Sequence, residues 1–334
     1  MKTRLKTILL LLLSSTLITF ALNAKAIPTE AQENIKYPYT IVTTCGMVTD
    51  IVTKVAGDKA QVMALMGEGV DPHLYKPTRD DMNKLLQADI IFYAGLMLEG
   101  RMTDAFVKMA RKGIPVHAVT EEIPESYLLH PGGVGEYPDP HLWMDVSAWS
   151  QATAVVCSAL CEFDNKNSAY YKNNLEDYQV QLNELDAYIK KVISSIPADQ
   201  RFLITAHDAF GYFARAYDIE VKAPQGLSTE SEAGVSDINE LVEFIAKNKI
   251  KSIFVETSVA DKNIRAIIEG VQSKSHTVSV GGTLFSDAMG EPETYEGTYI
   301  GMLDSNATTI ALALGGNAPK KGLFGKLSSP KTDH

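Results

Sequence analysis

Two short stretches of this 334-residue chain repeat one local pattern: Val70-Asp71-Pro72-His73-Leu74-Tyr75 and Pro138-Asp139-Pro140-His141-Leu142-Trp143. Each sets a carboxylate, a proline and an imidazole in the order D-P-H-L-aromatic. Proline fixes its own φ and steers the preceding residue away from helix, so each histidine is presented from a stiffened loop. The aspartate two residues earlier could orient the imidazole from behind. A single loop histidine is ordinarily a solvated side chain, but two in matching settings point to metal ligation.

Two further groups extend the set. His207 follows the β-type run Phe202-Leu203-Ile204-Thr205-Ala206, and open parallel sheets place ligands at the carboxyl ends of their strands. Asp287 follows a strand read as ending at Val280, in Gly281-Gly282-Thr283-Leu284-Phe285-Ser286-Asp287, with helix capping as its competing role. Three imidazoles and one carboxylate suit zinc, and suit manganese if the carboxylate binds through both oxygens. His117, His130, His276 and His334 fit less well, lying in a strand, in a Gly/Pro loop, at a strand start and at the last position. Glu256 ends the run Ile253-Phe254-Val255, where it either orients a ligand or caps a loop. The stretch Gly226 to Ala233, rich in Ser, Thr and Glu, reads as a helix start, with cleft shaping or partner docking as the alternative.

These residues need elements to hold them. β-type runs at Tyr39 to Cys45, Gln61 to Met66, Asp89 to Tyr93 and Pro115 to Val119 alternate with helical patterns. The alternation returns at Phe202 to His207, Ile219 to Lys222, Ser252 to Glu256 and His276 to Val280. Such alternation implies an α/β fold of two parallel-sheet lobes with separate cores and about four strands each. Between them, Tyr171, Leu175, Tyr178, Leu182, Leu185, Ile189, Val192 and Ile196 form one apolar stripe on a helix of roughly 43 Å, from about Ser168 to Ile196. A coiled-coil dimer seam is the rival use of that stripe. The expected organisation is a signal peptide over 1–26, a first lobe over 27–166, a linking helix over 167–197, and a second lobe over 198–334 whose tail frays beyond Gly315. The metal would sit between the lobes, with two ligands from each.

Residues 1–26 carry a basic start (Lys2, Arg4, Lys6), an apolar stretch from Ile8 to Leu22 and the small-x-small site Ala24-Lys25-Ala26, the marks of a cleaved export signal. The first cysteine, Cys45, is far from that site, so a soluble periplasmic product is expected rather than a lipid-anchored one. Cleavage removes four bases and no acid and moves the formal charge from −10 to −14, which disfavours a nucleic-acid partner. Cys157 and Cys161 stand one helical turn apart, a poor geometry for a disulfide, and read as small buried hydrophobes.

The chain resembles the cluster A-I, TroA-type family of zinc and manganese solute-binding proteins from about Tyr39 to Leu314. The marks are GVDPHLYKP around His73, DPHLWMD around His141, TAHDAFGYFARAY around His207, QGLSTESEA at 225–233, IFVETSV around Glu256 and SDAMG around Asp287. The resemblance implies two lobes joined by one rigid helix, with one ion held by His73, His141, His207 and Asp287. It also implies delivery to an inner-membrane ABC permease with a cytoplasmic ATPase; the stripe, with two α/β halves to pack against, points to a monomer, and four protein ligands point to a carrier that is not an enzyme. Many manganese members carry Glu where this chain has His207, and many zinc members carry a His-rich loop where 121–138 holds only His130. The rival readings are a zinc hydrolase, for which no HExxH helix is present, and a binder of a chelated metal or haem.

Overall fold

The computed structural model describes residues 35–131 and 137–328. The expected signal segment and His334 lie outside the described residues. No described helix is long and apolar enough to cross a membrane.

The first half is built on one parallel sheet. Its strands β1 (Tyr39–Thr43), β2 (Ala60–Ala64), β3 (Ile90–Tyr93) and β4 (Val116–Ala118) lie in the order β2-β1-β3-β4. Helices α1 (Gly46–Ala56), α2 (Arg79–Gln87) and α3 (Thr103–Arg111) make the crossovers. Ile41, Val42, Ile90, Ile91 and Phe92 are fully buried, as central parallel strands covered on both faces must be. Helix α2 starts at a reciprocal cap, in which Thr78 accepts the Asp81 amide and the Asp81 carboxylate takes the Thr78 amide.

Two helices then cross the molecule. Asp145 begins α4 (Val146–Phe163) by accepting the amides of Ser147 and Ala148. The long helix α5 (Ser168–Ser194) follows, 27 residues and therefore about 40 Å. Its stripe is widened by Tyr188 and Ile193 and is covered from within the chain by α1, α4 and by α9 (Tyr299–Ala313). One large core therefore runs along α5 through both halves, from Ile41 and Phe92 to Phe254, Leu284 and Tyr299, so the halves share a core instead of each having only its own.

The second half holds β5 (Phe202–Ile204), α6 (Gly211–Tyr217), β6 (Glu220–Lys222), α7 (Val235–Asn248), β7 (Ser252–Glu256), α8 (Lys262–Ser273) and β8 (Ser279–Leu284). A smaller core lies under α7 and α8, around Ile245, Ile253, Ile264 and Ile267. The strands form two parallel pairs, β5-β6 and β7-β8. β5 and β7 run side by side without a ladder. At their carboxyl ends the Glu256 side chain takes the amides of Ala206 and His207, so these donors are satisfied by a carboxylate rather than by a neighbouring strand.

Two expectations change here. β8 does not end at Val280 but continues to Leu284 across a register shift, with Ile253 opposite Val280 and Phe254 opposite Gly282. Gly281 and Gly282, past the expected strand end, serve close packing: a Cβ on Gly282 would meet Thr309 of α9 at 2.5 Å. The tail beyond Gly315 is pinned as far as Ser328. Asp304 of α9 accepts the Leu323 amide, and Glu296 accepts the Ser328 amide at 2.6 Å.

Candidate metal centre

Each of the four groups sits in a loop that other residues hold in place, and His73, His207 and Asp287 follow the carboxyl ends of strands. His73 follows β2 in a turn where Asp71 Oδ1 accepts the His73 amide at 2.8 Å. His141 precedes the single turn Leu142–Met144 that leads into α4. Asp139 Oδ1 takes both its amide (2.9 Å) and its Nδ1 (2.8 Å). His207 continues β5 by an isolated bridge to Gln225, and its Nδ1 lies 2.6 Å from Glu256 Oε2. Asp287 follows β8 through Phe285, whose amide and carbonyl are both bound by the Asn306 side chain of α9. With Nδ1 of His141 and of His207 engaged by carboxylates, the two Nε2 atoms are the free donors and face the centre.

The structure brings all four groups together. Their candidate ligand atoms lie within 4.8 Å of one another. His73 Nε2 is 3.3 Å from His141 Nε2 and 3.7 Å from Asp287 Oδ2. Asp287 Oδ1 is 3.3 Å from His141 Nε2, and Oδ2 is 3.2 Å from His207 Nε2. A tetrahedral ion with bonds of about 2.1 Å has ligand edges of about 3.4 Å, so these separations match one ion at the centre. His207 Nε2 and both Asp287 oxygens are buried and make no directed hydrogen bond. Polar atoms so placed are costly unless something charged sits among them.

Burial disfavours charge throughout the cluster. For His73 it prevails and holds the imidazole down at about 4. At His141 the same burial is outweighed by Asp139 and Asp287, which push the group up to about 9. His207 is likewise raised well above its ordinary value, burial being overcome by Glu256 and Asp287. Asp287 is held well below the carboxylate range because His207 and His141 outweigh the opposing effect of its own burial. Both raised imidazoles thus favour their protonated forms beside the carboxylates, so an incoming divalent ion competes with protons for the same nitrogens.

His141, His207 and Asp287 are all but sealed, whereas His73 keeps 6% exposure. Of the four, only His73 lines the depression of about 420 Å³ at the mouth of the cleft, together with Met97, Arg101, Tyr137 and Glu230. Two bonds cross that mouth. Thr229 Oγ1 donates to Asp71 Oδ2 at 2.5 Å, and Arg101, which also holds the Leu74 carbonyl, pairs with Glu230 at 2.6 Å.

Several sequence readings are corrected by this geometry. The stretch 226–233 does not start a helix; α7 begins at Val235 with Asp237 holding the Gly234 amide, and the stretch shapes the cleft mouth. No helix follows Asp287 directly, so it caps none, and the next one begins at Tyr299 behind Thr298. Glu256 does both things weighed for it, orienting His207 and tying the loop amides. The two D-P-H motifs differ in use: Asp139 holds its imidazole, whereas Asp71 holds the His73 backbone and Thr229. His117 pairs with Glu121, His130 with Glu125, and His276 Nε2 with the Ile250 carbonyl, all away from the cluster.

Other supports were missed from sequence. Trp143 Nε1 donates to the Ser286 carbonyl at 2.9 Å, tying the His141 loop to the Asp287 loop. Buried Asn306 on the mostly apolar α9, beside Asp304 and Thr308, was the one visible signal of the clamp on Phe285.

Comparison with known proteins gives the family and the fold. The family model described as zinc-uptake complex component A, periplasmic, matches residues 41–313, and the chain belongs to that family. The zinc-binding protein TroA of Treponema pallidum (strain Nichols) is 46% identical over 274 residues, covering 82% of this chain and 88% of that protein. The manganese-binding lipoprotein MntA of Bacillus subtilis (strain 168) is 42% identical over 274 residues, covering 82% and 89%. The solved structure of the periplasmic zinc-binding protein TroA from Treponema pallidum superposes with a TM-score of 0.80, covering 83% of this chain and 99% of that one.

Proposed function

We propose that this protein is the soluble periplasmic binding component of an ABC importer. It captures one free divalent transition-metal ion, zinc ahead of manganese, on His73, His141, His207 and Asp287. It then hands the ion to an inner-membrane permease driven by a cytoplasmic ATPase. The lobes are 27–166 and 198–334, joined by 167–197. One observation carries the reading: three Nε2 atoms and a carboxylate converge at tetrahedral separations in a buried site, with His207 Nε2 and both Asp287 oxygens lacking any hydrogen-bond partner. Relatives named for zinc binding and for manganese binding support the class of cargo.

The protein acts as a monomeric carrier with no reaction of its own. Four protein ligands complete a tetrahedral ion and leave no position at which it could activate water. Ligand atoms within 4.8 Å of one another suit a bare ion better than a chelate or haem. Cys45 is buried behind β1, which supports a product without a lipid on that thiol.

Elemental analysis of protein purified without added metal tests the reading, with one equivalent of ion per chain expected. The double variant His73→Ala/Asp287→Ala should bind none while its far-UV circular dichroism stays native, because both side chains lie on loops outside the cores. A tightly bound ion retained by that variant overturns the ligand set.

A further inference from the structure

Cys157 and Cys161 lie in the second half of α4, away from the end at which His141 leads into it, with their sulfurs 4.0 Å apart and both thiols free. With sulfur–metal bonds of about 2.3 Å, two sulfurs on one near-linear ion stand about 4.6 Å apart, a little wider than the observed 4.0 Å. Side-chain rotation alone opens the pair to that span, with no movement of the helix required. Cys157 is buried, and Cys161 is partly open at the last turn of α4, which gives an ion a way in. The Cys161 thiol donates to the Ser168 carbonyl at 3.7 Å, a weak contact that is easily given up.

We propose that Cys157 and Cys161 form a second metal site, a two-thiolate clamp for a soft ion of the copper(I) or silver(I) type, separate from the histidine-aspartate centre. Binding is a balanced exchange: two thiols release two protons, two sulfur–metal bonds form, and the occupied site carries one negative charge. The positive charge of Lys172 on α5 acts at Cys157 and offsets part of it. Burial and the adjacent thiol push Cys157 up to about 12, so the sulfur stays protonated near neutrality. Only an ion with strong thiolate affinity displaces that proton, which makes the clamp blind to manganese and a poor competitor for zinc.

Titrating the zinc-loaded, fully reduced protein with copper(I) against a chromogenic copper(I) chelator, without oxygen, tests the proposal. Wild type should hold one equivalent and show thiolate-to-metal charge-transfer absorption. Cys157→Ser and Cys161→Ser should each lose that equivalent and the absorption, with zinc content and far-UV circular dichroism unchanged. Cys45→Ser, which alters the remote third thiol, should keep both. Equal copper(I) uptake by wild type and the two clamp variants overturns the proposal, and so does no uptake by wild type. A thiol count showing only one free cysteine in protein handled without reductant also overturns it, because the pair would then be a disulfide.

Discussion

Glu256 grips His207 from three directions: one carboxylate oxygen takes the amides of Ala206 and His207, and the other lies 2.6 Å from the ring Nδ1. The residues are 49 apart in sequence and meet where β5 and β7 run side by side. The carboxylate therefore fixes the tautomer, the ring plane and the backbone beneath it at once.

Glu256→Gln keeps an acceptor but loses the anion that makes the imidazole a stronger donor to metal. Zinc affinity, read by competition with a chromogenic chelator, should fall roughly 10- to 100-fold, as removal of such a partner behind a metal-bound histidine generally does. Affinity within twofold of wild type would mean that Glu256 serves the backbone alone.

Zinc should win over manganese in direct competition, because manganese stands lowest in the divalent affinity order and three nitrogens suit zinc. His207→Glu replaces a neutral nitrogen with an anionic oxygen donor and should narrow that preference. Trp143, whose ring lies 5.2 Å from His141, offers a fluorescence readout. A wider preference for zinc in the variant would shift the source of selectivity to coordination geometry.

The metal-free protein should lose stability as pH rises from about 6.5 to about 9. His141 moves from 6.5 to about 9 on folding, so its contribution is complete below 6.5 and gone above 9, and the raised His207 has the same sign. Asp287, held low, contributes above the ordinary carboxylate range, and its share is lost only as pH falls through its depressed value. His73, lowered to about 4, gives a contribution present above 6.5 and lost towards 4. Zinc competes with fewer protons as pH rises, so the increase in Tm on adding zinc should widen between pH 6.5 and 9. A constant increase over that interval would show that the imidazoles are already neutral.

The α/β class, the long helix and the four groups that meet at the centre were legible because each leaves a local trace: alternation, a stripe of fixed period, or a stiffened loop motif. What the sequence concealed depends on contacts between distant segments. The strand end expected at Val280 moves on past the Gly281-Gly282 pair, which packs against α9, and the break between β5 and β7 follows from a side chain standing in for a strand. Leu323 and Leu327 looked like residues of a loose tail because Asp304 and Glu296, which hold their neighbourhood, are 19 to 32 positions away from the amides they accept. The shared core along α5 escaped for the same reason, since a stripe does not reveal how many neighbours cover it.

The two bonds across the cleft mouth give the site an order of assembly. His141 is steadied by Asp139 and His207 by Glu256, each within its own half, whereas the loop carrying His73 is held at Asp71 and, through Arg101, at Leu74 by contacts that reach Thr229 and Glu230 on the far side. Any movement that parts the halves at the mouth must break these two bonds first. Lifting of the His73 loop alone frees one imidazole while His141, tied to the Asp287 loop through Trp143 and Ser286, stays beside His207 and Asp287, so a small opening converts a closed cage of four groups into an open cup of three.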